Sequence, residues 1–107
     1  MATNVKIIRF PLGEEIIAEV VSETERDVTV KNPLRIVVIP SKTEPNNPNV
    51  GFAPYCEWVS DNEFTLSKNV IVFMADPIKV FLNQYNTQFG GLIVPDTKIL
   101  KIGRAHV

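Results

Sequence analysis

Valine and isoleucine supply 25 of the 107 residues, and they stand in short runs interrupted by proline, asparagine, aspartate and glycine. Side chains branched at Cβ pack well on a pleated surface and lose rotamer freedom in a helix, so runs of this kind write strands. The body of the chain is therefore expected to be all-β. Val5 to Phe10 reads as a first strand, stopped by Pro11 and Gly13, and Glu14 to Ser22 as a second. In the second, Ile16, Ala18 and Val20 share one face. Glu15, Glu19 and Glu23 share the other, with Ile17 and Val21 between them, and that charged face is expected to meet solvent or a partner. Glu23 to Asp27 is a polar turn leading into a long strand from Val28 to Ile39, in which Val28, Val30, Leu34, Ile36 and Val38 alternate with Thr29, Lys31 and Arg35. Asn32-Pro33 interrupts it, and because proline has no N–H to give a ladder, the interruption is a bulge, a bend or an edge.

Ser41 to Asn49, with Pro45, Pro48 and three asparagines, reads as an irregular excursion before a fourth strand, Gly51 to Val59, that carries Phe52, Tyr55 and Trp58. Phe52 and Trp58 are expected in the core, with Tyr55 on the opposite face as a surface or a core residue. After a turn at Ser60 to Glu63 and a short stretch at Phe64 to Leu66, Val70 to Ala75 has the length and composition of a buried strand, the last of five principal ones. Asp76-Pro77 then has the form of an N-cap followed by proline in the first helical turn, and Ile78, Phe81, Leu82, Tyr85 and Phe89 recur at helical spacing up to Gly90-Gly91. The alternative is a sixth strand using Ile78, Val80 and Leu82. Leu92 to Leu100 is expected to be an extended tail.

The length suits one domain. No stretch offers the eighteen or so apolar residues of a membrane span, and Met1 to Asn4 lacks the layout of a signal peptide, so a cytoplasmic protein is expected. The six final residues, Ile102 to Val107, read as the translation of ATC GGA AGA GCA CAC GTC, a stretch of a common short-read sequencing adapter, so residues 102–107 are expected to be non-native and the chain an assembled environmental sequence with its true C-terminus beyond about Lys101. The one histidine, His106, then leaves the catalytic inventory, and without Arg104 ten basic residues face twelve acidic ones, a net charge of −2. That balance excludes a protein holding nucleic acid mainly by bulk charge, while a local basic patch survives it. Cys56 is alone, so it forms neither an internal disulfide nor a zinc site, and its phase with Phe52 and Trp58 suggests a small buried apolar residue. Glu14 and Glu15 are adjacent and point to opposite faces of a strand, which rules them out as a catalytic carboxylate pair. There is no glycine-rich phosphate loop. The expectation is a non-enzyme without cofactor or metal.

Five strongly bent strands in so short a chain suggest a small SH3-like or OB-like barrel. Val5-Lys6-Ile7-Ile8-Arg9-Phe10-Pro11-Leu12-Gly13-Glu14 followed by Ile17-Ala18-Glu19-Val20 resembles the opening of the Sm-like (LSm/Hfq-type) domain, where a strand, a glycine-containing turn and a second strand read V-x-V-x-L-x-x-G and then small-x-hydrophobic. Leu66 to Phe73 is similar to that family's second motif, I-R-G-x-x-V and onward. Gln84-Tyr85, in a helix opened by Asp-Pro after the last strand, resembles in particular the divergent Sm-like proteins of tailed phages and marine cyanophages. The resemblance covers roughly residues 5 to 90 and implies a single Sm-like domain over residues 4–100.

What the resemblance implies is a closed ring of roughly five to seven copies in which the sheet runs from subunit to subunit, removing edges that would otherwise aggregate. The contacting edges would be Glu57, Trp58 and Val59 on the fourth strand and Val70, Ile71, Val72 and Phe73 on the fifth. It also implies binding of single-stranded RNA near the pore by two loops, here Thr24, Arg26 and Asp27 in the first and Ser67, Lys68 and Asn69 in the second. The chain departs from the family in lacking the Arg-Gly pair of the second loop, an aromatic stacker in the first and an N-terminal helix. A stacking contact is worth about 1–3 kcal/mol per base, so its loss weakens a base pocket. Lys31 and Arg35, expected on the same face of one strand, are further candidates for phosphate. The alternative function is a structural or assembly protein of phage origin that uses the same ring to bind protein.

Overall fold

The computed structural model describes residues 4–40, 43, 49–89 and 98–101. Among the described residues seven strands form one antiparallel sheet: β1 (Val5–Arg9), β2 (Glu15–Glu23), β3 (Asp27–Ile39), β4 (Asn49–Pro54), β5 (Glu63–Ser67), β6 (Phe73–Ala75) and β7 (Lys98–Lys101). One helix, α1 (Lys79–Phe89), follows β6, and a single 3-10 turn over Lys68–Val70 links β5 to β6. The strands lie in the order β6-β1-β2-β3-β4-β7, with β5 on β3. The expected all-β body and C-terminal helix are both present, and the sixth-strand alternative for Ile78 to Leu82 is not. The Gly90-Gly91 helix stop, most of the Ser41 to Asn49 excursion, residues 92–97 of the tail and the six adapter-like residues lie outside the described residues.

The long strand β3 organises the fold because it changes neighbours halfway. Its first half, Asp27 to Lys31, pairs with β5, and its second, Leu34 to Ile39, pairs with β4. The exchange falls at Asn32-Pro33. Asn32 has φ +51°, a left-handed conformation that asparagine tolerates better than most residues. Its N–H reaches the Asn62 carbonyl at 2.7 Å, and Pro33, with no N–H, needs no partner where the ladder changes hands. Along β2 the register steps from Ile17↔Leu34 to Glu19↔Lys31, so Ala18 alone stands opposite both Asn32 and Pro33. This is a β-bulge.

The extra residue inverts the faces of the strand. Val28 and Val30 point into a cluster with Ile8, Ile16, Ala18 and Val20, completed by Phe10, Tyr55, Phe64, Leu66, Ile71 and Met74. Leu34 and Ile36, which strict alternation would put on that same face, instead join Val5, Ile7, Ile17, Phe52, Phe81, Leu82 and Tyr85 on the other. The expected single apolar face of the third strand is thus corrected to two half-faces. The expected solvent face of the second strand is corrected as well: Ile17 is fully buried between Glu15 and Glu19 because α1 covers that side. Each such buried valine or isoleucine contributes about 1.5–3 kcal/mol relative to an exposed one.

Three local expectations change. The fourth strand ends at Pro54, and Trp58 lies outside it, 90% exposed, while Cys56 is half-buried. The apolar run Val70 to Ala75 is split between the 3-10 turn and the three-residue β6, and Val70, Val72 and Phe73 are exposed instead of buried. The helix begins at Lys79, with the Phe81 and Leu82 N–H groups both donating to the Ile78 carbonyl at 3.0 Å. Asp76 is no cap: its carboxylate lies 2.6 Å from the Lys6 ammonium across the β1–β6 pair.

Candidate nucleic-acid interface

The two loops expected to bind RNA are far apart in sequence and adjacent in space. Antiparallel pairing of β3 with β5 sets Asp27 opposite Ser67, and the Lys68 N–H then donates to the Arg26 carbonyl at 2.7 Å. The turn between β2 and β3 is held by Thr24, whose N–H donates to the Asp27 carbonyl at 2.8 Å and whose Oγ1 accepts from the N–H groups of Asp27 and Arg26 at 3.0 and 3.3 Å. Hydroxyl side chains favour such turns because they reproduce a backbone acceptor at short range. On the other loop Ser67 caps the 3-10 turn, its Oγ accepting from the Asn69 N–H at 3.3 Å. Thr24 and Ser67 are thereby committed to shaping the surface. Arg26, Asp27 and Asn69 are exposed, and their side chains make no hydrogen bond or ion pair among the described residues, which leaves a guanidinium, a carboxylate and an amide to meet a ligand.

Lys68 is engaged. Its ammonium sits 2.7 Å from the Glu23 carboxylate, a residue that the strand pattern had assigned to a solvated face. Glu23 ends β2 opposite Val28, and a strand periodicity read within β2 alone carries no signal of a partner arriving from β5. Counting Glu23, Glu25 and Asp27 against Arg26 and Lys68, the patch is not net positive. The patch thus offers directed hydrogen-bonding groups more than bulk attraction to an anion.

The other candidates are placed elsewhere. Lys31 is exposed at the far end of the β3–β5 pair, where it lines a polar depression of about 350 Å³ with Asp61, Asn62 and Glu63. Arg35 is exposed beyond the bulge, opposite Ala53, and the bulge puts it on the other face from Lys31 instead of the same one. Tyr55 is half-buried, stacked on Phe10 at a centroid distance of 6.3 Å and edge-on to Phe64 at 5.9 Å. Burial, then the nearby Glu14 and Cys56, hold its hydroxyl above the usual tyrosine pKa. It is spent on packing. Trp58 is exposed, in the segment that enters β5, whereas the loop patch lies where β5 leaves.

β6 pairs only with β1 and β5 only with β3, so among the described residues each has one unpaired edge. Glu57, Trp58 and Val59 are exposed and lie outside any strand, because the ladder stops at Pro54. Ile71 packs on the cluster around Val28 and Val30, the Val72 N–H donates to the Arg9 carbonyl at 2.8 Å, and Phe73 pairs with Arg9. Among the described residues no group of three His, Cys, Asp or Glu side chains could hold a metal ion, and no helix is long and apolar enough to cross a membrane. Compared with models of known protein families and with curated proteins, the chain matches none.

Proposed function

We propose that this chain is a non-catalytic Sm-like protein that assembles into a homo-oligomeric ring and binds single-stranded RNA through Arg26, Asp27, Lys68 and Asn69. The observation that carries the reading is the meeting of the two loops: the residues implied by the resemblance form one exposed surface joined by the Lys68-to-Arg26 backbone bond. The open edges of β5 and β6 support assembly, since unpaired strand edges favour continuation into a neighbouring copy. Loop hydroxyls fix the backbone, Arg26 meets phosphate or a base face, and Asp27 and Asn69 offer acceptors and donors to base edges.

The test is mass by light scattering with and without a short oligouridine, at low and physiological salt, followed by Arg26→Ala. A ring that binds the oligonucleotide is expected, with Arg26→Ala weakening binding by about 1–3 kcal/mol and flattening its salt dependence. A monomer overturns the ring, and binding untouched by Arg26→Ala overturns the loop assignment. A second reading, a ring that binds protein in an assembly, is favoured by one observation: Trp58 at 90% and Leu12 at 100% exposure are large apolar surfaces suited to a protein partner. A ring that ignores the oligonucleotide at both salts selects it.

A further inference from the structure

We propose that Glu23 is a built-in competitor for nucleic acid, holding Lys68 in an ion pair that a phosphate must displace. The inference rests on the RNA-binding reading and names how that surface is regulated. The pair is short, 2.7 Å from Nζ to Oε2, and partly open to solvent, with side-chain exposures of 33% for Lys68 and 48% for Glu23. A half-solvated pair is weak enough to exchange when a polyanion arrives, yet it neutralises the second cation of the patch until then. Both partners are fixed by backbone. Glu23 is registered opposite Val28 at the end of β2, and Lys68 is tied through its N–H to Arg26. Arg26 has no such carboxylate against it among the described residues.

The exchange has a thermodynamic signature. When Lys68 moves from Glu23 to a phosphate, the freed carboxylate recruits a cation from solution, which cancels one of the counterions released from the nucleic acid. Removing Glu23 removes that cancellation. Glu23→Gln is therefore expected to raise oligouridine affinity about three- to fivefold at low salt and to steepen the log–log salt slope by about 0.7, the value for one additional single-strand phosphate contact.

The experiment measures binding of a labelled oligouridine to the full chain across a salt series for wild type, Arg26→Ala, Glu23→Gln, Glu25→Gln and Glu23→Gln with Lys68→Met. Glu25 is an exposed neighbour with no ion pair among the described residues, so its variant makes the same change in net charge without freeing a lysine. The proposal expects the gain in affinity and slope from Glu23→Gln, a smaller gain from Glu25→Gln, and loss of the gain in the double variant. Equal gains from the two single glutamine variants, or a gain that survives Lys68→Met, overturn it by assigning the effect to net charge. If wild type binds, Arg26→Ala weakens binding and Glu23→Gln changes nothing, the competitor role fails while the RNA reading stands. If no variant binds at low salt, the RNA reading itself has failed. Thermal melts of these variants are expected to match wild type, since the carboxylates lie on exposed residues.

Discussion

The two faces of the sheet are packed by different means. The cluster around Val28 and Val30 is buried through aliphatic side chains of β1, β2 and the first half of β3, with the rings of Phe10, Tyr55 and Phe64 packed at its margin. The helix-side cluster is built around aromatic rings: Phe52 meets Phe81 edge-on at 5.2 Å, and Tyr85 lies 4.9 Å from Phe89. It also contains a buried hydroxyl. Tyr85 is fully buried, and its O–H reaches the carbonyls of Asn32 and Lys31 at 2.9 and 3.1 Å, the two acceptors exposed by the bulge in β3. One face is closed by strands together with Phe10, Tyr55 and Ile71 from the segments between them, whereas the other is closed by a helix pinned to the point where a strand breaks. The difference teaches that the bulge and the helix are one device, since the bulge leaves carbonyls that a ladder does not use and the tyrosine satisfies them.

The largest effect is expected from Tyr85→Ala. Removing the ring and its hydroxyl costs about 3–5 kcal/mol, through the cavity and the unpaired carbonyls together. Urea denaturation gives the loss, and amide exchange sharpens the comparison: protection is expected to fall first in α1 and β4, while β1, β2 and β5 keep theirs. Uniform loss would mean that the two clusters open as one unit.

Asn32→Val probes the same device from the strand side. A β-branched residue is costly at φ +51°, so about 1–2 kcal/mol should be lost, whereas Asn32→Gly should cost a few tenths at most. A valine variant as stable as wild type would show that β3 straightens at no cost and that the face inversion is not fixed by this residue.

That inversion also marks the limit of what the sequence discloses. The runs of valine and isoleucine placed β1, β2 and β3 within a residue or two of their observed bounds, because alternation and β-branching are local signals. The helix was legible in the spacing of Phe81, Leu82, Tyr85 and Phe89, although not its start, since Asp76 is drawn off by Lys6 on a strand seventy positions away. Asn32-Pro33 was legible as an interruption, but its consequence was not: whether an irregularity bends a strand or reverses its faces depends on how many residues the partner sets against it. Trp58 failed for a related reason, as a period of two was extended past Pro54, where the ladder that enforces it ends. Of the loop patch, the six residues were named from the resemblance. The Glu23–Lys68 pair escaped because it is a contact between β2 and the turn after β5 that neither segment announces.

The smallest effect isolates the hydroxyl. Tyr85→Phe keeps the ring and deletes only the donor, so about 0.5–1.5 kcal/mol should be lost at neutral pH. Burial raises the folded-state pKa of Tyr85 above the ordinary value of 10.0, with Glu19 contributing a lowering backbone hydrogen bond and a raising charge. A group whose pKa is raised on folding keeps its proton longer in the folded chain. Its contribution to stability is present in full below the unfolded pKa of about 10 and is lost as pH rises toward the folded value. Wild type should therefore lose stability from about pH 10 upward, and Tyr85→Phe should lose less over the same range, so that the gap between them narrows. Tyr55, whose pKa is also raised by burial, contributes to the alkaline fall of both proteins and cancels in the difference. Urea midpoints between about pH 8 and 11 measure it. A gap that stays constant would mean that the hydroxyl ionises alike in folded and unfolded chains, which would place it in water and leave the bulge carbonyls without the helix that now satisfies them.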